Sequence, residues 1–178
     1  MAFDRIIKYG IIYSMTPDKE KYYENATRKL INAIDKMKMG SIERVRAKNL
    51  TLLFRDSFKL PDVKQATFSQ ETDVKKFTYD SDGFCRVSSI NFALMMGENP
   101  NWQVMYIDDL WTYGPHHFLM HMPSKSVLDL TYDQYTHSGI EVPYYLGQPV
   151  KYALESDAAA TRFAHILGLT PLTNKQNN

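Results

Sequence analysis

The first strong pattern along the chain is a helical repeat of apolar positions that follows residue 16. Apolar side chains recur at every third or fourth position, as on one face of an amphipathic helix: Tyr23, Ala26, Leu30, Ile34 and Met37. Thr16 is a favourable N-cap, and Pro17 suits the first helical position because the N–H that it lacks would have no partner within the helix. The pattern predicts one long helix that ends at Gly40 and covers the core.

The positions after this helix are less regular. Ser41 can cap a second, short helix through Val45, and residues 50–54 fit either a strand or a helix. Residues 59–80 are polar and mixed in character and include Pro61. We expect this last stretch to run along the surface.

The pattern becomes clear again in the second half of the chain. An apolar segment at residues 85–96 predicts a helix that begins at Cys85 and ends before Gly97. Three later segments have strand-forming composition: 102–107, 116–122 and 126–131. Because only residues 123–125 separate the last two segments, these two are predicted to form a hairpin.

A last helix is predicted between Ser156, as its N-cap, and Gly168. We expect one domain over residues 1–169 and a flexible polar tail at 170–178. The domain divides into three parts: a helical N-terminal part at 1–79, a core at 80–152 that carries the candidate chemistry, and the C-terminal helix at 153–169.

Composition and charge exclude several classes of protein. Of the 178 residues, 44% are hydrophobic and 13% aromatic, which is ample for a packed core and excludes a wholly disordered chain. The net charge of +1 argues against a protein that coats nucleic acid or an anionic membrane. One cysteine excludes an internal disulfide. With no signal-peptide pattern and no apolar run of roughly 18 to 20 residues, we expect a cytoplasmic protein.

The candidate chemistry lies in three residues that follow one another along the predicted elements: Cys85, a histidine at 116 or 117, and Asp129. A helix N-terminus carries partial positive charge, so it favours a thiolate at Cys85. A neighbouring imidazole can take the thiol proton, and a carboxylate can fix the imidazole tautomer. Asp129 stands between two leucines, where a carboxylate needs a partner. The pattern therefore indicates a cysteine nucleophile with a histidine base.

The choice between the two histidines depends on which face of the strand meets the Cys85 helix. Side chains alternate along a strand, so His116 and Phe118 share one face, while His117 and Leu119 share the other. We expect the more apolar face to lie toward the helix. This expectation favours His116 as the base and leaves His117 as the alternative.

Two segments, SDGFCRVSSINFALMMG and HHFLMHMPSKSVLDLTYDQY, resemble the core of the transglutaminase-like, papain-like cysteine enzymes, in a bacterial and phage branch of mostly uncharacterised proteins. The resemblance covers residues 80–150. It implies an α+β fold in which the helix led by Cys85 packs on a small antiparallel sheet. It also implies acyl transfer through a Cys85 thioester, with His116 as base and Asp129 as its orienter.

The substrate implied by this resemblance is a peptide, a protein or a small amide. Water as the second nucleophile gives a peptidase, amidase or deamidase, whereas an amine gives a transglutaminase or acyltransferase; the sequence leaves both open. Gln134 is the candidate for oxyanion support, although it can equally serve the fold. Three aromatic residues are candidates for the substrate cleft or for plain packing: Trp111, Tyr113 and Tyr135.

A metal site and a non-catalytic binding protein are the alternatives to acyl transfer. A metal site is disfavoured because His117 and His121, on one strand, would stand roughly 13 Å apart. We therefore expect no metal and no cofactor, and no nucleic-acid or membrane partner. The second alternative is a non-catalytic binding or inhibitory protein on a degenerate cysteine-enzyme fold.

Overall fold

The computed structural model describes residues 17–68, 81, 83–97, 100–110, 114–136, 139–151 and 157–169. Within these residues the chain forms six α-helices and one four-stranded antiparallel sheet. The predicted α+β class is therefore confirmed. In the described part of the chain, no helix is both long enough and apolar enough to cross a membrane.

The elements follow one another with short connections. The helices are α1 (Pro17–Lys36), α2 (Ser41–Phe58), α3 (Pro61–Phe68), α4 (Cys85–Met95), α5 (Asp133–Thr136) and α6 (Ala158–Ile166). The strands are β1 (Trp102–Ile107), β2 (His116–His121), β3 (Ser126–Leu128) and β4 (Gln148–Val150), and a 3-10 helix covers Tyr144–Leu146. Several predicted features lie outside the described residues: the Thr16 cap, Trp111, Tyr113, Ser156 and the tail at 170–178.

The N-terminal helices agree with the sequence pattern in α1 and differ from it in α2 and α3. All five apolar positions of the α1 repeat are buried. α2 is much longer than predicted and includes residues 50–54, because Ala47, Leu50, Phe54 and Phe58 all lie on its buried side. The expectation of a surface stretch after residue 59 was wrong for α3, which buries Val63 and Phe68.

The sheet has the strand order β3-β2-β1-β4, with β2 and β1 in its centre. β1 has the predicted bounds, and β2 and β3 pair as the predicted hairpin, with Leu119 opposite Leu128. The expected third strand is shorter, because it ends at Leu128 and Asp129 follows it. The Asp129 carboxylate accepts the backbone N–H of Thr131 at 3.0 Å, which turns the chain away from the ladder.

The two faces of the sheet belong to two hydrophobic clusters. Leu119 packs in the main cluster with Val87 and Ile90 of α4, whereas Phe118 packs in a second cluster with Tyr135. By alternation, His117 therefore shares the α4 face and His116 lies on the opposite face. The expectation that His116 would share the face of the Cys85 helix was wrong, because both faces of this strand are apolar and both are covered.

The N-cap of the last helix lies one residue after the predicted cap, Ser156. The side chain of Asp157 accepts the backbone N–H of Ala160 at 2.9 Å and so acts as the N-cap of α6. The other carboxylate oxygen of Asp157 lies 3.1 Å from Nε of Arg86, in the first turn of α4. This contact joins the start of α6 to the start of the Cys85 helix.

An aromatic cluster fixes the residue that precedes Cys85. Phe84, the N-cap of α4, is buried and stacks on Phe58 with ring centroids 4.4 Å apart. Phe163 of α6 lies 5.4 Å from Phe84 and 5.4 Å from Phe54. Rings packed in this way resist displacement, so the cluster holds the N-terminus of α4 in place.

We expect Phe163→Ala to lower the free energy of unfolding by about 3–5 kcal/mol, because it leaves a cavity beneath Phe84. Urea denaturation followed by circular dichroism measures the change. The matched control is Ile42→Ala, since Ile42 is an exposed apolar residue of α2 and its loss should change stability by no more than about 0.5 kcal/mol. Equal stability losses for the two variants would contradict the role given to the cluster.

Candidate active site

Cys85 is the first residue of α4 and is half-buried. The carbonyl of Phe84 already accepts the N–H of Ser88 at 2.9 Å, as the first bond of the helix. The amide groups of a first helical turn have no partner within their own helix and carry partial positive charge. The sulfur therefore stands where a negative charge is favoured, in a residue that keeps part of its surface exposed.

His116 and Asp129 form a buried pair. Nε2 of His116 lies 2.7 Å from Oδ2 of Asp129, and both residues are almost inaccessible to solvent. The ring nitrogen that faces a carboxylate carries the proton, so Nε2–H donates to Asp129. Nδ1 is then the nitrogen that remains for the Cys85 thiol, with which His116 interacts.

Asp129 receives four donors. Its Oδ1 accepts the backbone N–H of Thr131 at 3.0 Å and the hydroxyl of Thr131 at 3.1 Å, while Oδ2 accepts the hydroxyl of Tyr144 at 2.9 Å in addition to His116. Burial by itself raises the pKa of Asp129, but the charge of His116 and these hydrogen bonds together hold that pKa below its usual value. The carboxylate therefore stays ionised although it is buried.

The thiol and the imidazole shift each other's proton affinity in opposite directions. Burial raises the pKa of Cys85, but hydrogen bonds and charges from His116 and His117 outweigh it and lower the pKa to about 6. Burial lowers the pKa of His116, but Asp129 and then Cys85 raise it to about 10. Near neutral pH the two groups therefore form a thiolate–imidazolium ion pair.

His117 is a second imidazole beside the sulfur. Its ring lies 4.9 Å from that of Tyr106, which stands opposite it on β1, and it helps to lower the pKa of the Cys85 thiol. The structure thus brings both candidate histidines to Cys85, one from each face of β2. Of these two, His116 is the one that Asp129 orients.

Gln134 contacts the imidazole. Its Nε2 lies 3.3 Å from Nδ1 of His116 and 3.4 Å from Oγ1 of Thr131. Gln134 therefore lies beside the nitrogen that faces the sulfur. Tyr135, a candidate for the substrate cleft, is buried with its ring edge-on to His116 at 4.7 Å, so it packs against the imidazole instead of lining an open cleft.

Two residues that complete the site were missed in the sequence. Thr131 could have been found, since Asp-x-Thr is a pattern in which the Asp side chain accepts donors two residues later. Tyr144 carries no local signal, because its contact with Asp129 spans 15 residues. The ring of Tyr144 packs on Phe118. Gly147, three residues later, lies so close to the same Phe118 ring that a Cβ there would come within 2.5 Å of it, so this position needs glycine.

Among the described residues, no group of three or more His, Cys, Asp or Glu side chains is arranged to hold a metal ion. The chemistry that these side chains can perform is transfer of a proton between sulfur and imidazole, followed by nucleophilic attack by the sulfur.

We expect Tyr144→Phe to lower the free energy of unfolding by about 1.5–3 kcal/mol at pH 7, because it removes one donor from a buried carboxylate. Asp129 has a lower pKa in the folded than in the unfolded chain, so its stabilising contribution is present above about pH 4 and is lost as the pH falls. In urea denaturation the difference between variant and wild type should therefore persist from pH 7 to about pH 4 and narrow only below it, as Asp129 becomes protonated in the folded chain. Tyr145→Phe, at an exposed neighbouring residue, is the matched control; an unchanged stability of Tyr144→Phe at pH 7 would refute the prediction.

Comparison with protein-family models, with curated proteins and with solved structures found no match to this chain. The function is therefore inferred from the site itself.

Proposed function

We propose that the protein is a cysteine-dependent acyl-transfer enzyme that acts through a thioester at Cys85. The observation that carries the proposal is the connected series Cys85–His116–Asp129, in which a 2.7 Å bond from Nε2 of His116 to Asp129 leaves Nδ1 for the thiol. A nucleophile, a base and a group that orients the base are the three parts that acyl transfer requires. The reaction needs no cofactor or metal.

Acylation begins with the thiolate of Cys85. The sulfur attacks the carbonyl carbon of an amide, and the carbonyl oxygen takes up negative charge that the backbone N–H of Cys85 and the N-terminus of α4 stabilise. The Nδ1–H of His116 then protonates the leaving nitrogen. The C–N bond breaks, the amine departs, and the acyl group remains on sulfur as a thioester.

Deacylation reverses the role of the imidazole. Neutral Nδ1 of His116 takes a proton from water or from an amine as that nucleophile attacks the thioester carbon. The C–S bond breaks, and the sulfur leaves as a thiolate beside the imidazolium. Asp129 holds the ring in one orientation through both steps and stabilises its positive charge.

Gln134 serves this cycle as a support for the imidazole. Its amide lies beside both Nδ1 of His116 and Thr131, a position from which it limits rotation of the ring. The same amide lies beside Nδ1, the nitrogen that serves the thiol, so it is the side-chain amide available as a further donor. Gln134 therefore remains the side-chain candidate for completing the oxyanion hole.

The likeness to transglutaminase-like, papain-like enzymes is part of this proposal. It is supported by three features: a helix led by Cys85 on an antiparallel sheet, His116 at the start of β2, and Asp129 directly after β3. The proposed substrate is a peptide, a protein or a small amide. We also expect the enzyme to act in the cytoplasm, where its thiol stays reduced.

An activated ester tests the proposed acylation directly. p-Nitrophenyl acetate should acetylate Cys85 with release of p-nitrophenolate, because the thiolate displaces this good leaving group. Intact-mass measurement should find one acetyl group that hydroxylamine removes, as expected for a thioester. Adding a fluorescent primary amine distinguishes the second nucleophile, since transfer to the amine favours a transglutaminase and hydrolysis alone favours a hydrolase.

The control for this experiment is Cys85→Ala, which should keep the fold and lose the adduct. His116→Ala should slow acetylation of Cys85 by roughly 10²–10⁴-fold at pH 7, the usual contribution of a positioned base. Wild-type protein that is acetylated no faster than a free thiol would favour the non-catalytic binding protein and remove the acyl-transfer proposal.

We expect Asp129→Asn to lower the rate of acetylation by roughly 10²–10⁴-fold at pH 7 while Cys85 remains accessible. An amide in place of the carboxylate can donate to Nε2, which favours the tautomer whose proton is on Nδ1 and cannot accept the thiol proton. Stopped-flow release of p-nitrophenolate measures the rate, and Asp109→Asn, at an exposed carboxylate, provides the matched control. A loss of less than about threefold would exclude Asp129 as the orienting group.

A further inference from the structure

The side chain of Arg55 lies in the interior between the N-terminal helices and the candidate site. Arg55 belongs to α2 and has no solvent-exposed surface, and its partner Asp133 is equally buried. Nη1 lies 2.6 Å from Oδ1 of Asp133, and Nη2 lies 3.1 Å from Oδ2, so the guanidinium holds both carboxylate oxygens. Such a two-pronged contact fixes orientation as well as distance.

The remaining donors of Arg55 complete a bridge between α1 and the segment after β3. Nη1 also donates to the carbonyl of Leu130 at 3.1 Å, while Nε donates to Thr27 at 3.1 Å and Nη2 to the carbonyl of Tyr23 at 3.3 Å. The five N–H groups of the guanidinium thus have five acceptors. Two of these acceptors belong to α1 and three belong to residues 130–133.

Two of the residues that Arg55 contacts are neighbours in sequence of side chains that contact His116. Leu130 directly follows Asp129, and Asp133 directly precedes Gln134. Asp129 contacts Nε2 of His116, and Gln134 contacts its Nδ1. Arg55 therefore binds the short segment at residues 129–134, and the side chains at the two ends of this segment contact the imidazole of His116.

We propose that Arg55 is a positioning residue for the candidate active site and acts on the imidazole of His116 through the segment at residues 129–134. This inference rests on the proposed function. A buried ion pair often contributes no more to stability than apolar residues of the same size, so stability alone does not require one here. What the guanidinium provides is a fixed geometry for the segment that carries Asp129.

The test replaces the ion pair with apolar residues and measures how the reactivity of the Cys85 thiol depends on pH. In the double variant Arg55→Met/Asp133→Leu no buried charge is left without a partner, so the fold should persist. The rate of Cys85 alkylation by iodoacetamide is measured from pH 5 to pH 9. The wild-type midpoint is expected near the Cys85 pKa of about 6. In the variant it should rise above about 7, which lowers the rate at pH 6 by about fivefold or more, because the imidazolium no longer faces the sulfur.

A second arginine of α2 supplies the matched control. Arg44 donates to the carbonyls of Ile34 and Met37 at 3.0 and 3.1 Å, so it too joins α2 to α1, but it makes no contact with residues 129–134 among those described. Arg44→Met should lower the stability without moving the alkylation midpoint. If the double variant does not fold, Arg55→Lys replaces it, since an ammonium keeps the charge but loses the two-pronged contact.

The outcomes separate the inference from the function on which it rests. A raised midpoint in a folded Arg55 variant, with no shift in Arg44→Met, supports the positioning role. A midpoint near the wild-type value in a folded Arg55 variant overturns that role and leaves the acyl-transfer proposal intact. Wild-type Cys85 that reacts with an ordinary thiol midpoint overturns the proposed function itself.

Discussion

A carboxylate that is removed from water must receive donors on every side, and this requirement at Asp129 organises the candidate site. Leaving a buried charge without partners costs several kcal/mol, so Asp129 draws the hydroxyls of Thr131 and Tyr144 and the imidazole of His116 around it. Each donor comes from a different part of the chain. Satisfying one carboxylate thereby brings together the end of β3, the following turn, the 3-10 helix and the start of β2.

The same constraint extends into the N-terminal helices. The segment that begins at Asp129 turns at Thr131 and reaches Asp133, a second buried carboxylate, which Arg55 of α2 neutralises. Burial by itself lowers the pKa of Arg55, but the negative charge of Asp133 stabilises the guanidinium and holds that pKa above its usual value. Helices that show no chemical motif of their own therefore support the geometry of the proposed chemistry.

Local sequence patterns predicted those parts of the structure that depend on residues close together in the chain. The α1 repeat, the bounds of β1 and the hairpin of β2 and β3 were predictable, because burial on one face and turn residues act over a few positions. The order of Cys85, His116 and Asp129 was sufficient to name a candidate set. Contacts between distant segments were not predictable: nothing local to Arg55 marks it as buried, and nothing near residue 144 marks a partner of Asp129.

The expectation that His116 shares the face of the Cys85 helix was wrong, and the observed arrangement distinguishes this site. His116 lies on the face of β2 away from α4, yet it interacts with Cys85 of that helix. This is possible because His116 is the first residue of its strand, and Cys85 is the first residue of its helix. At such an end a side chain of either face can reach around the backbone. His117 and His116 thus approach the sulfur from opposite sides of the sheet, and Asp129 backs His116. The sulfur and the imidazole therefore meet at the ends of their two elements, where His116 is buried and Cys85 is half-buried.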